Sequence, residues 1–359
     1  MREIGFYYPS YDGTTNIRAL IWEPDNLKGG GTQARGILQI LHGMAEHIER
    51  YRDFAEYCTG QGFIVCGHDQ IGHGKSVASK EQWGHMPMNG KEILIEDAHR
   101  LRQMMQERYS MPVTSDENKD EGEKDEGERS GREVSVGEEN VETSPSSPLP
   151  YLMFGHSMGS FVLRLYLARY GEGVAEAIIC GTGQPSALLS TSGSLLARLL
   201  GATRGIDYHS PMLYNLSVGA YSKQIANAQT PLDWLSTNEA NVQKYIAAPD
   251  CGFLFDAGGN YSLTALTGSM VKREAIAAVP ASLPLLFIAG SEDPVGAKGV
   301  AVKKVVQLFK ETGHTDVTLI LYEGMRHEVL NETGHEKVYS DILNWIDERM
   351  PWSSALSAS

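Results

Sequence analysis

The chain has 359 residues, 42% hydrophobic and 21% charged, with 45 acidic against 31 basic side chains and a formal net charge of −14. Twelve acids and four bases between Ser115 and Pro148 carry −8 of that total, and neither this stretch nor the rest offers surplus positive charge to neutralise phosphates, which speaks against nucleic-acid binding. Four cysteines (Cys58, Cys66, Cys180, Cys251) with no CxxC pair do not make a disulfide framework or a zinc ribbon. There is also no basic-then-apolar leader and no run of 18 apolar residues, so a cytoplasmic protein without a membrane span is expected.

In chain order, short apolar and β-branched runs predict strands at 17–22, 36–41, 63–67, 151–155, 177–181, 285–289 and 317–321. Helical spacing predicts helices at 51–61, 91–109, 158–170, 299–312 and 336–350. The alternation, with central strands almost wholly apolar, is that of a mostly parallel α/β sheet covered by helices on both faces.

Two stretches interrupt it. The segment 115–148 is rich in Glu, Gly, Lys and Ser and has no aromatic residue, so it is expected to be a mobile surface insert that buries too little apolar surface to order itself. The hundred residues 184–283 exceed what a crossover helix needs. Helical patterns at 188–200, 231–245 and 263–278 predict an inserted helical cap. The expected organisation is a first part of the core at 1–183, the cap at 184–283, a second part of the core at 284–352 and a short tail at 353–359.

The sharpest chemical signal is Gly155-His156-Ser157-Met158-Gly159, which follows an apolar strand and opens a helix. That context is what a G-x-S-x-G nucleophile elbow requires: a tight strand-to-helix turn lifts the serine hydroxyl above the sheet, beside a helix N-terminus that favours negative charge. Serine alone is a weak nucleophile and needs a base that is itself oriented by an acid. The ends of two later strands supply both residue types, the acid first and the histidine second. Asp293 follows the strand at 285–289 and His327 follows the strand at 317–321. Glu292 is the rival acid, but an Asp-Pro pairing better fixes a short carboxylate at a turn; His314 and His335 are rival bases and read as surface histidines.

An oxyanion needs two donors. The expected ones are the backbone N–H of Met158, directly after the nucleophile, and that of Met44 in His42-Gly43-Met44-Ala45-Glu46-His47, after the strand at 36–41. The H-x-x-x-E-H spacing in that loop is one residue too long for the inverted zinc-protease motif, so no metal is expected. Gly72-His73-Gly74-Lys75-Ser76 imitates the end of a phosphate-binding loop, yet Asp69 stands where its first glycine is required, so no nucleotide or other cofactor is expected.

With these motifs assembled, the chain resembles the α/β-hydrolase superfamily, and within it the monoacylglycerol lipase and lysophospholipase group of serine hydrolases. The matching pieces are 42–47, His68-Asp69-x-x-Gly72-His73-Gly74-x-Ser76, 155–159, Ser291-Glu292-Asp293-Pro294 and Gly324-Met325-Arg326-His327-Glu328. The resemblance implies Ser157 as nucleophile, His327 as general base and then acid, Asp293 as its orienting carboxylate, Met44 and Met158 as the oxyanion hole, and the cap as a lid over an acyl pocket. Ala45 and Ser160 depart from the family, which often has glycine at both places, and the acidic insert lies outside its pattern.

The expected activity is hydrolysis of monoacylglycerols or similar single-chain lipid esters through an acyl-enzyme without cofactor. Lysophospholipids, short-chain or aryl esters and amino-acid amides are the alternatives within the fold, and a silent acyl-binding protein is the alternative outside catalysis. Leu188, Leu189, Leu195, Leu196, Leu199 and Leu200 crowd one short stretch of the cap, where they either pack it onto the core or touch lipid surfaces transiently.

Overall fold

The computed structural model describes residues 1–25, 27, 34–110 and 148–350, so the expected acidic insert, Pro148 apart, and the tail at 353–359 fall outside the described residues. The chain runs through β1 (Arg2–Pro9), β2 (Asn16–Glu23), β3 (Gly36–Leu41), α1 (Arg52–Gly60), β4 (Phe63–His68), α2 (Gly90–Ser110), β5 (Tyr151–His156), α3 (Met158–Tyr170) and β6 (Glu176–Cys180). It continues through α4 (Ala187–Arg204), α5 (Pro211–Leu216), α6 (Gly219–Ser222), α7 (Glu239–Ala247), α8 (Ala257–Met270) and α9 (Arg273–Ala277). It ends with β7 (Leu285–Gly290), α10 (Val300–Glu311), β8 (Val317–Tyr322) and α11 (His335–Arg349).

The strands form one eight-stranded sheet in the order β1-β2-β4-β3-β5-β6-β7-β8. β2 pairs antiparallel with β1 and β4, and every other pairing is parallel. Every residue of β3, β4, β5, β6 and β7 is buried, as strands covered on both faces must be. Alternation divides them between two apolar layers. Ile37 and Leu41 face the layer shared with α2, α3 and α10, while Leu38 and Ile40 face that of α1 and α11.

β1 has no counterpart among the expected strands. It is an edge strand in which Ile4, Phe6 and Tyr8 turn inward while Glu3, Gly5 and Tyr7 stay exposed, so its signal is a diluted alternation and not an apolar run.

Between β6 and β7 the structure is helical, with no strand among the described residues, though its helices differ from the expected set. The helix expected over 231–245 begins only at Glu239. Asn238 caps it by accepting from the N–H groups of Ala240 and Asn241, and 231–236 is turned backbone that buries Trp234 and Leu235 in a small cluster with Tyr245. The helix expected over 263–278 is two helices, α8 and α9, separated at Val271 and Lys272. α5 and α6 are too short to show a helical period. α4 packs along α8 and leaves Leu188, Leu189, Leu195 and Leu199 exposed, so these leucines do not pack the segment onto the core.

Candidate active site

The elbow is built as its residues require. Ser157 takes φ 53° and ψ −119°, a strained left-handed geometry between β5 and α3. Crowding explains the two glycines: a Cβ at Gly155 would lie 2.5 Å from the carbonyl oxygen of Gly159, and one at Gly159 would lie 2.1 Å from that of Leu41. The Ser157 N–H donates to the Cys180 carbonyl on the neighbouring strand at 3.0 Å, which anchors the turn to the sheet. Ser160 is buried and donates its hydroxyl to the Ser157 carbonyl at 2.6 Å.

Asp293 and His327 meet beside this turn. The imidazole Nδ1 lies 3.0 Å from Oδ2 of Asp293, and Oδ1 accepts the Val295 N–H at 2.8 Å, so both carboxylate oxygens are engaged and the group is fully buried. With Nδ1 donating to the carboxylate, Nε2 is left as the basic nitrogen, and it has no protein partner among the described residues. A Cβ at Gly181 (φ 59°) would sit 3.1 Å from the ring, so this glycine leaves room for the histidine.

The rivals lie elsewhere. Glu292 is exposed and pairs with Lys298 at 2.7 Å. His335 hydrogen-bonds the Glu332 carbonyl at the start of α11. His314, expected on the surface, is buried and bridges the carbonyls of Phe309 and Val279 at 3.0 and 3.1 Å; it closes the end of α10 and does not reach the site.

The loop after β3 fixes one peptide with care. His42 accepts the Gln70 N–H on Nε2 at 2.9 Å, which leaves Nδ1 to donate to the Gly43 carbonyl at 2.7 Å. Burial holds this ring neutral, with its pKa lowered to about 4. In a trans peptide the N–H points opposite the carbonyl, so the Met44 N–H is turned away from His42. The Gly43 N–H is already donated to Glu46 Oε1, and neither Met44 nor Met158 gives its N–H to an acceptor among the described residues. Ala45 carries a left-handed φ of 54°, a conformation that glycine takes without strain.

The histidine- and glycine-rich stretch 68–76 is scaffolding for that loop. Asp69 accepts the N–H of Ile48 and of Lys75, both at 2.9 Å, and Ser76 joins the carbonyl of Asp69 to the N–H of Arg18. One grouping among the described residues, His47, Asp250 and Cys251, brings ligand atoms within 4.8 Å of one another. Burial pushes the Cys251 thiol up to about 12, which disfavours the thiolate a metal needs.

Ser157 and His327 open into a cavity of about 570 Å³ running beneath α4 and α8. Its wall is mostly apolar, with Phe161, Leu189, Leu196, Leu213, Leu263 and Trp234 prominent. Its carboxylates are Glu46 and Glu328, both bound to Arg50. This wall, contributed largely by the inserted helices, was not assigned residue by residue from the sequence, because its members are ordinary leucines and aromatics.

Sheet order, strained serine turn and buried histidine–carboxylate pair together are those of an α/β-hydrolase. The profile of the Hydrolase_4 family, described as serine aminopeptidase S33, matches residues 32–113 and 135–334, and the chain belongs to that family. It is 26% identical over 345 residues to a monoacylglycerol lipase of Mycolicibacterium smegmatis, spanning 94% of this chain and 95% of that one. It is 24% identical over 319 residues to the human monoglyceride lipase, spanning 88% and 83%. A thermostable carboxyl esterase from Bacillus coagulans, solved with glycerol, superposes with a TM-score of 0.79 at 27% identity over 98% of this chain and 99% of its own. The chain is thus a hydrolase that is similar to the monoacylglycerol lipases. No described helix is long and apolar enough to cross a membrane.

Proposed function

We propose that the protein is a serine ester hydrolase that cleaves monoacylglycerols or similar single-chain lipid esters through an acyl-enzyme. In this reading Ser157 attacks the ester carbonyl, His327 Nε2 takes its proton and later returns it to the leaving alcohol, and Asp293 holds the ring in the required tautomer. The N–H groups of Met44 and Met158 receive the oxyanion; being fixed before substrate arrives, they need no reorganisation in the transition state. Residues 184–283 act as a cap whose exposed leucines suit transient contact with a lipid surface.

The observation that carries the substrate class is the cavity. A largely apolar volume of about 570 Å³ opening on the serine suits a single acyl chain. An aminopeptidase of this family would need a free carboxylate to receive the substrate's amino group, and both carboxylates in the wall are already spent on Arg50.

The test compares steady-state hydrolysis of long-chain monoacylglycerols, lysophospholipids, short aryl esters and amino-acid amides by the wild type and Ser157→Ala. Monoacylglycerols are expected to give the highest kcat/KM, and Ser157→Ala to lower turnover by roughly 10⁴–10⁶-fold with the fold intact. Near-wild-type esterase activity in Ser157→Ala would overturn the mechanism; a preference for amides would overturn the substrate class.

A further inference from the structure

The three chain segments that carry the reacting groups meet at a buried charge cluster that the mechanism above does not use. Glu46 Oε1 accepts the Gly43 N–H from the oxyanion loop and the Tyr51 hydroxyl at 2.8 Å, and lies 3.4 Å from Nδ1 of His156, the residue before the serine. Arg50 bonds Glu46 Oε2 and reaches across to Glu328, the residue after His327, with a two-pronged contact of 2.8 and 2.7 Å. Glu328 also accepts from Asn241 of α7 at 2.7 Å, and its N–H donates to the Leu235 carbonyl at 2.7 Å. His156 Nε2 lies 3.3 Å from the His327 carbonyl, which closes the ring of contacts.

Resting on the reading of Ser157, His327 and Met44 given above, we infer that Glu46 and Arg50 are positioning residues that hold the Met44 amide and His327 in register with Ser157.

Geometry supports this first. The Gly43–Met44 peptide is pinned from both sides, its carbonyl by His42 and the preceding N–H by Glu46, so the direction of the Met44 N–H is set before substrate binds. A Cβ at Gly43 would lie 2.6 Å from Glu46 Oε1 and 3.2 Å from Ser157 Cβ, so the carboxylate sits directly behind the turn that faces the serine.

Charge supports it second. An unneutralised carboxylate at that place would oppose a developing oxyanion, and Arg50 answers it. Burial alone would raise the pKa of Glu46 and of Glu328, yet Arg50, joined by His156 and His42 at Glu46 and by Asn241 at Glu328, outweighs burial and keeps both below the usual carboxylate range. Stability offers a weak rationale for such a cluster, since a buried ion pair is often replaced by apolar packing at no loss. Holding three separate segments at fixed angles is something apolar packing does less well.

The test uses purified full-length Glu46→Gln and Arg50→Lys. Each is measured for kcat and KM on a monoacylglycerol, for rate and end point of labelling by a fluorophosphonate probe, and for thermal unfolding. Glu46→Gln keeps an acceptor for Gly43 but loses the charge that holds Arg50; kcat and the labelling rate constant are expected to fall together by about 10²-fold, near what loss of one oxyanion donor costs, with KM within about threefold. The labelling end point stays complete, whereas a role confined to stability would lower the end point and leave the rate per folded molecule unchanged. Arg50→Lys keeps the charge, loses the fork, and is expected to lie between Glu46→Gln and wild type. The inference is overturned if both variants are folded and turn over within twofold of wild type, or if they lose only end point. Activity surviving in Ser157→Ala instead overturns the underlying reading and is seen separately.

Discussion

The indole of Trp234 lies 5.0 Å from the imidazole of His327, the two rings inclined at 42°. Trp234 belongs to the turned stretch ahead of α7, is buried, and packs in turn against Tyr221, ring centroids 5.1 Å apart and inclined at 50°. The segment between β6 and β7 thereby covers His327 as well as lining the cavity. Trp234→Ala is expected to cost roughly 3–5 kcal/mol of stability through the cavity it leaves. It should also lower kcat about tenfold because His327 loses its packing partner, while Trp234→Phe retains most of both. Chemical denaturation and steady-state kinetics on the two variants check this; an alanine variant with wild-type kcat would show that the indole only fills space.

Asp293 and its neighbour Glu292 separate cleanly. Asp293→Asn puts an amide opposite Nδ1 and favours the wrong tautomer, so kcat is expected to fall by about 10⁴ with the fold retained. Glu292→Gln removes an exposed pair with Lys298, and such pairs contribute about 0–1 kcal/mol, so kcat should change less than twofold. Equal losses in the two variants would reassign the acid.

Acid stability follows from three buried histidines. Burial lowers His42 to about 4 and His68 and His73 to about 3, so from near pH 6.5 downward the unfolded chain takes up protons that the folded chain refuses. Each such proton removes about 1.4 kcal/mol of stability per pH unit. Two carboxyls act in the opposite sense: burial raises Asp97 to about 6 and Glu176 to about 8, so the folded state holds their protons down to their ordinary range. Three histidine protons set against two carboxyl protons leave about one uncompensated between pH 6 and 4.5, a slope of about 1.4 kcal/mol per pH unit. Below that the carboxyls stop compensating, Glu46 and Glu328 join the histidines, and stability is expected to fall steeply. Urea midpoints measured from pH 7 to pH 3.5 test this, and His68→Leu should remove about one proton from the acid slope. A slope already steep at pH 6 would contradict the balance.

The parts of the fold that were legible in the sequence are those decided locally. β3 spans the expected residues because a strand buried on both faces is a nearly unbroken apolar run, and Ser157, Asp293 and His327 stand out because each follows a strand, fully buried for the first two and partly buried for β8. β1 is faint in the sequence because an edge strand shows only half that signal, and 231–238 reads as helix because Trp234 and Leu235 are apolar for the sake of His327 and a small cluster with Tyr245, not of a helix face. The cluster around Arg50 was invisible for a different reason. Its contacts join Glu46 to Glu328 and Asn241 across most of the chain, and no spacing rule connects them. Even the nearest link, from Glu46 to Arg50 four residues on, falls ahead of the expected helix at 51–61, where no helical spacing flags it.

The cavity makes its own prediction about chain length. Leu196 lines it from α4, as Leu263, Thr264 and Thr267 do from α8, so a larger side chain at 196 takes up cavity volume between the two helices. Leu196→Trp is expected to leave hydrolysis of a short aryl ester within about twofold, because the reacting groups at Ser157 and His327 are untouched. Each methylene that no longer fits forfeits up to about 0.8 kcal/mol of burial, so two or three of them lower kcat/KM for a long-chain monoacylglycerol by roughly 10–50-fold. Measuring kcat/KM across acyl chains of increasing length in wild type and variant locates the break. Uniform loss at every length would mean that Leu196 supports the fold of α4 and not the acyl chain, and no loss at any length would place the chain in another part of the cavity.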